Sequence, residues 1–166
     1  MRSLALAIAS LCCLVACGPT EPEPRSFCRV DTPTMAAPSY DVQLGIRISG
    51  EWMPWNEGDQ VGVVTGGQGA VMVVPRVRIP DAPASATERC MRITLQNEFD
   101  YGLGPFDTLI VDETFRVIDG GWESVSIEVP LDYGDVDMRM ITFTARVADE
   151  TTAAEGVVVL ELLGPT

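Results

Sequence analysis

The sequence contains no histidine and no lysine; all 11 of its basic residues are arginine, set against 24 acidic ones. The first absence removes Ser-His-Asp and Cys-His relays and histidine-ligated zinc, and the second removes Schiff-base and phosphate-loop lysines. A formal charge of −13 repels phosphate, so no nucleic-acid partner is expected. No window offers an amphipathic helix, and no repeat of fixed period is visible, which argues against bundles, propellers and solenoids. What remains is a chain of 166 residues, 46% apolar and 21% charged, the composition of one folded domain.

Residues 1–16 form a one-arginine start, an apolar run of about a dozen residues and a small-residue end, too short to span a bilayer. Leu14-Val15-Ala16-Cys17 resembles the bacterial lipobox, where the signal peptide is cut before a cysteine that is then acylated. The resemblance implies lipidation at Cys17 and a membrane partner reached through the lipid. An ordinary secretory signal that happens to hold cysteine is the alternative. Gly18 is not the aspartate that holds lipoproteins in the inner membrane of the best-studied envelopes, so an outer-membrane location is expected, on the periplasmic or the cell-surface face. Residues 17–38, where Gly-Pro-Thr-Glu-Pro-Glu-Pro at 18–24 follows Cys17, read as the lipidated cysteine and a proline-rich spacer, leaving 39–166 as the domain. Without residues 1–16 the chain keeps 24 acids against 10 arginines, a formal −14, so the acid excess belongs to the domain.

Of five cysteines, Cys12 and Cys13 leave with the signal and Cys17 is the lipid site. The remaining pair, Cys28 and Cys90, is expected to form a disulfide in an oxidising compartment, with two buried thiols as the alternative.

From about Tyr40 onward, hydrophobicity alternates with period two between Gly, Pro, Asn and Asp breaks. Val42, Leu44, Ile46 and Ile48 share one face; so do Met91, Ile93 and Leu95; Val125, Ile127 and Val129; and Ile141, Phe143, Ala145 and Val147. Further strands are expected at 60–64, 70–79, 108–118 with a break near Asp112, and 157–163, the last as a central strand buried on both faces. Residues 149–156 read as a hairpin loop. The pattern predicts an all-β, antiparallel two-sheet sandwich of seven to nine strands, immunoglobulin-like or transthyretin-like, with a closed barrel as the alternative.

Glu57-Gly58-Asp59, Val61, the Gly66-Gly67-Gln68-Gly69 turn and the strand ending Arg76-Val77-Arg78 resemble a motif of uncharacterised lipoproteins from myxobacteria and related bacteria. The resemblance covers about twenty-five residues and implies an envelope location and a β fold. Many such proteins carry a histidine near the position of Met72; this chain does not, so no metal role follows. A phosphate cradle at the three glycines would need a following helix and usually a lysine, and neither is expected.

Trp52 and Trp55, in a loop between two strands, are candidates for surface contact with a sugar or a protein, or for a cap on the core. Asp132, Asp135 and Asp137 are calcium candidates beside a glycine turn, although their spacing is not that of an EF-hand, and a solvated turn is the alternative reading. A second acidic turn, at 97–102, could add ligands. No catalytic residue and no cofactor are expected; a carboxylate-only hydrolase carries no distinguishing motif. The combined expectation is a non-enzymatic envelope lipoprotein acting in adhesion, assembly or scaffolding through an envelope protein partner, with a calcium- or carbohydrate-binding module as the alternative.

Overall fold

The computed structural model describes residues 28–81, 87–100, 107–131 and 136–164. Thirteen strands lie in this part: β1 (Tyr40–Asp41), β2 (Gln43–Ile48), β3 (Glu51–Pro54), β4 (Gln60–Gly62), β5 (Val64–Thr65), β6 (Val71–Val73), β7 (Arg76–Ile79), β8 (Glu88–Phe99), β9 (Asp107–Ile118), β10 (Gly121–Glu123), β11 (Val129–Leu131), β12 (Arg139–Ala148) and β13 (Ala153–Leu163). There is no helix among the described residues. The fold is all-β and broadly sandwich-like.

The large sheet runs β1-β13-β12-β8-β9-β10-β7-β2-β3, with β4 also paired to β13, and β11-β6-β5 form a small second sheet. Long antiparallel neighbours carry it. β8 pairs with β9 from Glu88↔Arg116 to Asn97↔Asp107, and β12 pairs with β13 from Arg139↔Leu162 to Ala148↔Ala153. Period-two alternation sends Met91, Ile93, Leu95, Ile141, Phe143 and Val147 inward, all essentially inaccessible to solvent. Trp122 and Phe115 complete that core, to which Val73 and Val129 of the small sheet also belong.

β1 and β2 are separated only by Val42, so the hydrogen-bonded path leaves β1, crosses the whole sheet and returns to β2 on the same stretch of chain. The sheet curls back on itself, but the seam is incomplete. β1 pairs with β13 at only two positions, Tyr40↔Ala154 and Asp41↔Glu155, before β2 turns away to pair with β7. Gly156 allows the crossing: a Cβ there would sit 2.1 Å from the Val42 carbonyl oxygen, so only glycine lets the two chains approach this closely.

Several expectations are corrected. The sheet is mixed, not purely antiparallel, because β1 and β4 both run parallel to β13. Runs read as single strands are divided at Val42, Val63 and Val74-Pro75, which raises the strand count. Pro75 has no N–H to donate, and its carbonyl instead accepts from the Ile127 N–H at 2.8 Å. The break expected near Asp112 is absent: β9 runs on through it because Arg92 and the Val30 N–H bind its carboxylate. Val125 does not share the buried face of Ile127 and Val129; it is 50% exposed and lies outside any strand. β13 is not buried on both faces, since Val157 is 64% exposed.

The loop expected at 149–156 shortens to 149–152. Asp149 accepts from the Thr151 and Thr152 N–H groups, each at 2.7 Å, forming an Asx turn that closes the β12–β13 hairpin. At the Gly66–Gly69 turn the expected tight hairpin is present: the Gly66 N–H donates to the Ala70 carbonyl at 2.8 Å, and Gly69 has a φ of +82°.

Cys28 and Cys90 are joined in a disulfide that ties the chain before β1 to β8. Around it, Val30 is buried, its N–H donates to Asp112 and its carbonyl accepts from Arg92. Further on, the Thr34 N–H donates to the Asp149 carbonyl and Arg146 reaches the Ala36 carbonyl at 2.8 Å. The part of the composition-defined spacer from residue 28 onward is thus laid against the large sheet.

Candidate functional site

Two features stand apart from the general packing: a buried charge cluster on the outer face of β10, β7, β2 and β3, and the groove left where the sheet fails to close.

The cluster follows from register. Glu123 of β10 lies opposite Arg78 of β7, and Arg76 lies opposite Gly45 of β2, one strand over. Arg47 lies opposite Trp52 of β3, and alternation places all these side chains on one face. The Glu123 side chain is fully buried. It accepts from Arg47 on both oxygens at 2.7 Å and from Arg76 at 3.1 Å, with Arg78 3.9 Å away. Burial pushes its carboxyl up, but the hydrogen bonds from Arg47 and Arg76 outweigh that and hold it below the ordinary range. The bonds Arg47 donates to Glu123, with one it donates to Asp119, raise its guanidinium pKa above the ordinary value.

Arg47 also joins two hairpin turns. It donates to the Gly50 carbonyl of the Ser49-Gly50 turn and, at 3.0 Å, to the Asp119 carboxylate of the Asp119-Gly120 turn. In both turns the two central residues have positive φ, the conformation that two-residue hairpins favour. Chemically the cluster is a closed set of ion pairs whose acid is already matched by arginine, and it braces two hairpins.

Trp52 belongs to this cluster and not to a loop. It lies in β3 with the Arg78 guanidinium 5.4 Å from its ring centre, and its ring packs over Gly45, where a Cβ would come within 2.9 Å of it. Trp55 follows β3, donates its N–H to the Leu44 carbonyl and packs partly against the core. The two tryptophans therefore have different neighbours: Trp52 lies in β3 on the charged face, not in the expected loop, and Trp55 packs against the core. Sequence reasoning missed Glu123 and Arg47. The alternation Arg76-Val77-Arg78 was a visible signal for two cations on one face, but their acid lies 45 residues or more downstream in sequence.

The groove lies between β2 and β13. It has a volume of about 310 Å³ and is lined by residues 42–44, Gln43 among them, Trp55, Glu57 and residues 156–159. A second, more polar hollow of about 460 Å³ follows along the same seam, lined by Pro38, Ser39, Tyr40, Asp41, Asp81 and Glu155. Gly58, at φ +81°, lets the chain turn from Trp55 back to β13, where its N–H donates to the Val159 carbonyl at 2.8 Å.

Among the calcium candidates, Asp132 and Asp135 lie outside the described residues. Asp137 accepts from the Gly164 N–H at 2.8 Å. No group of three or more metal-ligating side chains occurs among the described residues. Of the second acidic turn, residues 101 and 102 are likewise outside, and Asn97 is buried within β8. Cys17 also lies outside the described part.

A second charged site fixes the N-terminal segment. Asp112 accepts from Arg92 at 2.7 and 2.9 Å and from the Val30 N–H at 3.0 Å, and the Arg92 bonds, opposed by burial, lower its carboxyl below the ordinary range. For Asp112 and Glu123 alike the folded state favours the ionised form. Their stabilisation is therefore complete above the unfolded carboxyl range near pH 4 to 4.5 and is lost as pH falls through the lower folded values. Urea unfolding is expected to give a flat stability from pH 6 to 8 and a decline below about pH 4.5, with a shallower acid decline in Asp112→Asn than in the native chain.

The chain matches no model of a known protein family and no curated protein.

Proposed function

We propose that the chain is an envelope lipoprotein, cut before Cys17, acylated there and held in the outer membrane, whose disulfide-locked β domain works without catalysis through contacts with other envelope proteins. The observation that carries this reading is the lipobox-like Leu14-Val15-Ala16-Cys17 behind a short apolar run. The Cys28–Cys90 bond supports it, because such bonds persist in oxidising compartments and are rare in a reducing cytosol. The absence of histidine and lysine from the sequence supports a non-catalytic role, since it removes the commonest general bases and nucleophile partners. In this reading the domain is a two-sheet sandwich of immunoglobulin-like or transthyretin-like type, and the uncharacterised lipoproteins that share the Glu57–Arg78 motif are its relatives.

One specific observation favours the second reading, a carbohydrate-binding module: the Trp55 ring forms part of the groove wall. Fractionation of the native cell and of a Cys17→Ser strain tests the primary reading. The native chain is expected in the membrane fraction and the variant in the soluble one; a native chain found wholly in the soluble fraction would contradict it.

A further inference from the structure

We propose that the groove between β2 and β13 docks an extended, basic segment of a partner polypeptide, pairing its backbone with Val157 and resting an apolar or arginine side chain on Trp55. The inference deepens the reading of the domain as a protein-contact module and rests on it.

The open edge of β13 supplies the first argument. Along this edge the carbonyls of Ala153, Glu155, Val159 and Leu163 accept from Ser39, Val42, Gly58 and Val63, and the Glu161 N–H donates to Asp59. Every odd-numbered residue of β13 in this series is thus engaged on the side away from β12, except Val157. Alternation turns the Val157 N–H and C=O to the same side, where they meet no backbone partner among the described residues. β1 covers the edge before this point and β4 after it, so the opening is one short stretch wide. An extended peptide crossing it gains a donor and an acceptor from one residue, the pairing by which a strand is added to a sheet edge.

Side-chain chemistry supplies the second. Trp55, Val158 and Val159, each partly exposed, and Val157, which is 64% exposed, give the groove apolar side-chain surface, while Val42 and Leu44 border it with their side chains in the core and Gln43 lies between them. The rim is acidic: Glu57 borders the groove, and Asp41, Asp81 and Glu155 border the hollow that continues it, since Asp41 precedes Val42 and Glu155 precedes Gly156. No arginine lines either hollow among the described residues, although Arg146 pairs with Glu155 at 3.5 Å from outside the lining. A ligand with alternating apolar and cationic side chains matches both surfaces, and an arginine there can lay its planar head on the Trp55 indole. An acidic peptide meets like charge along the whole seam.

The test uses the full lipidated protein in nonionic detergent and a fluorescein-labelled octapeptide alternating arginine and valine, against the matching glutamate–valine peptide, read by fluorescence anisotropy. The basic peptide is expected to bind about tenfold more tightly or better. Two groove variants separate docking from general attraction to an acidic protein. Glu57→Arg reverses an exposed rim charge, and Val157→Pro removes the N–H on the open side, where the β12 ladder does not need it. Each is expected to weaken the basic peptide by about fivefold or more with little change in melting temperature. Should Val157→Pro melt early, Glu57→Arg decides alone.

Equal binding of the two peptides, or binding that survives Glu57→Arg, overturns the proposal. So does displacement of the peptide by millimolar neutral oligosaccharide, which would assign the groove to a sugar. The Cys17→Ser fractionation is independent of these results, so a failed groove and a failed lipid anchor are told apart.

Discussion

Glu123→Ala is expected to cost about 3–5 kcal/mol of unfolding free energy and to lower the melting temperature by about 10 °C or more. The reason is asymmetry in the cluster. Glu123 is the fully buried acid among three arginines whose side chains are themselves 10–28% exposed. Taking it out of water is costly, but Arg47 and Arg76 offset that cost with three hydrogen bonds of 2.7 to 3.1 Å. Removing the acid leaves the arginines facing one another with, among the described residues, the exposed Asp119 as the one acid still paired to the cluster. The hairpin turns that Arg47 ties would loosen together. Glu123→Gln keeps shape and one acceptor while losing the charge, and its cost should fall between those of the native chain and alanine. Thermal unfolding of the three proteins at pH 7 reads this order; an alanine variant within about 1 kcal/mol of native would show that the cluster contributes little.

The double variant Cys28→Ser/Cys90→Ser is expected to lose about 2–4 kcal/mol. The bond closes a chain separation of 62 residues, which the chain-entropy account values at roughly 4 kcal/mol. The native segment after Cys28 keeps other ties, since Val30 remains buried and bonded to Asp112 and Arg92. The loss is therefore placed mainly in the unfolded state, with a local part at residues 28–36. Chemical denaturation gives the total and amide hydrogen exchange the local part. Unchanged exchange at Thr34, whose N–H bonds Asp149, would show that the side-chain ties alone hold the segment.

What could be read ahead of the structure follows physical locality. Met91, Ile93 and Leu95, and Ile141 through Val147, announce their strands because one face of each enters a dry core and period two makes that face visible. The hairpin between the last two strands was legible as a loop over 149–156, but not the Asp149 turn that shortens it to 149–152. The disulfide was legible by counting, once Cys12, Cys13 and Cys17 were set aside on the expectation of a signal segment and a lipid site. Contacts between distant segments were not legible. Nothing near Tyr40 or Gln60 says that both run parallel to β13, more than a hundred residues on in sequence. Asp112 looked like a strand breaker because its partners, Arg92 and Val30, are 20 and 82 residues away. Trp52 was read as a loop residue between two strands, yet it lies in β3, where Pro54 is tolerated because β3 has β2 as its one sheet neighbour among the described residues.

The same contrast applies to the candidate site. Trp55 was singled out for its chemistry, but the groove it lines exists because the chain leaves β13 after the two paired residues of β1, and β2 turns to β7, a property of register and not of any local motif. The acidic rim was visible only as overall charge. Its concentration along one seam comes from alternation, which sends Val42 into the core and leaves Asp41 outside.

Whether the chain is lipid-anchored with one structural disulfide is decided by the intact mass of the protein purified from its native membrane, taken with alkylation before and after reduction. A chain beginning at Cys17, heavier by its acyl groups, is expected, with no alkylated cysteine before reduction and two after it. A mass without added lipid, or thiols at Cys28 and Cys90 that alkylate without reduction, would contradict it.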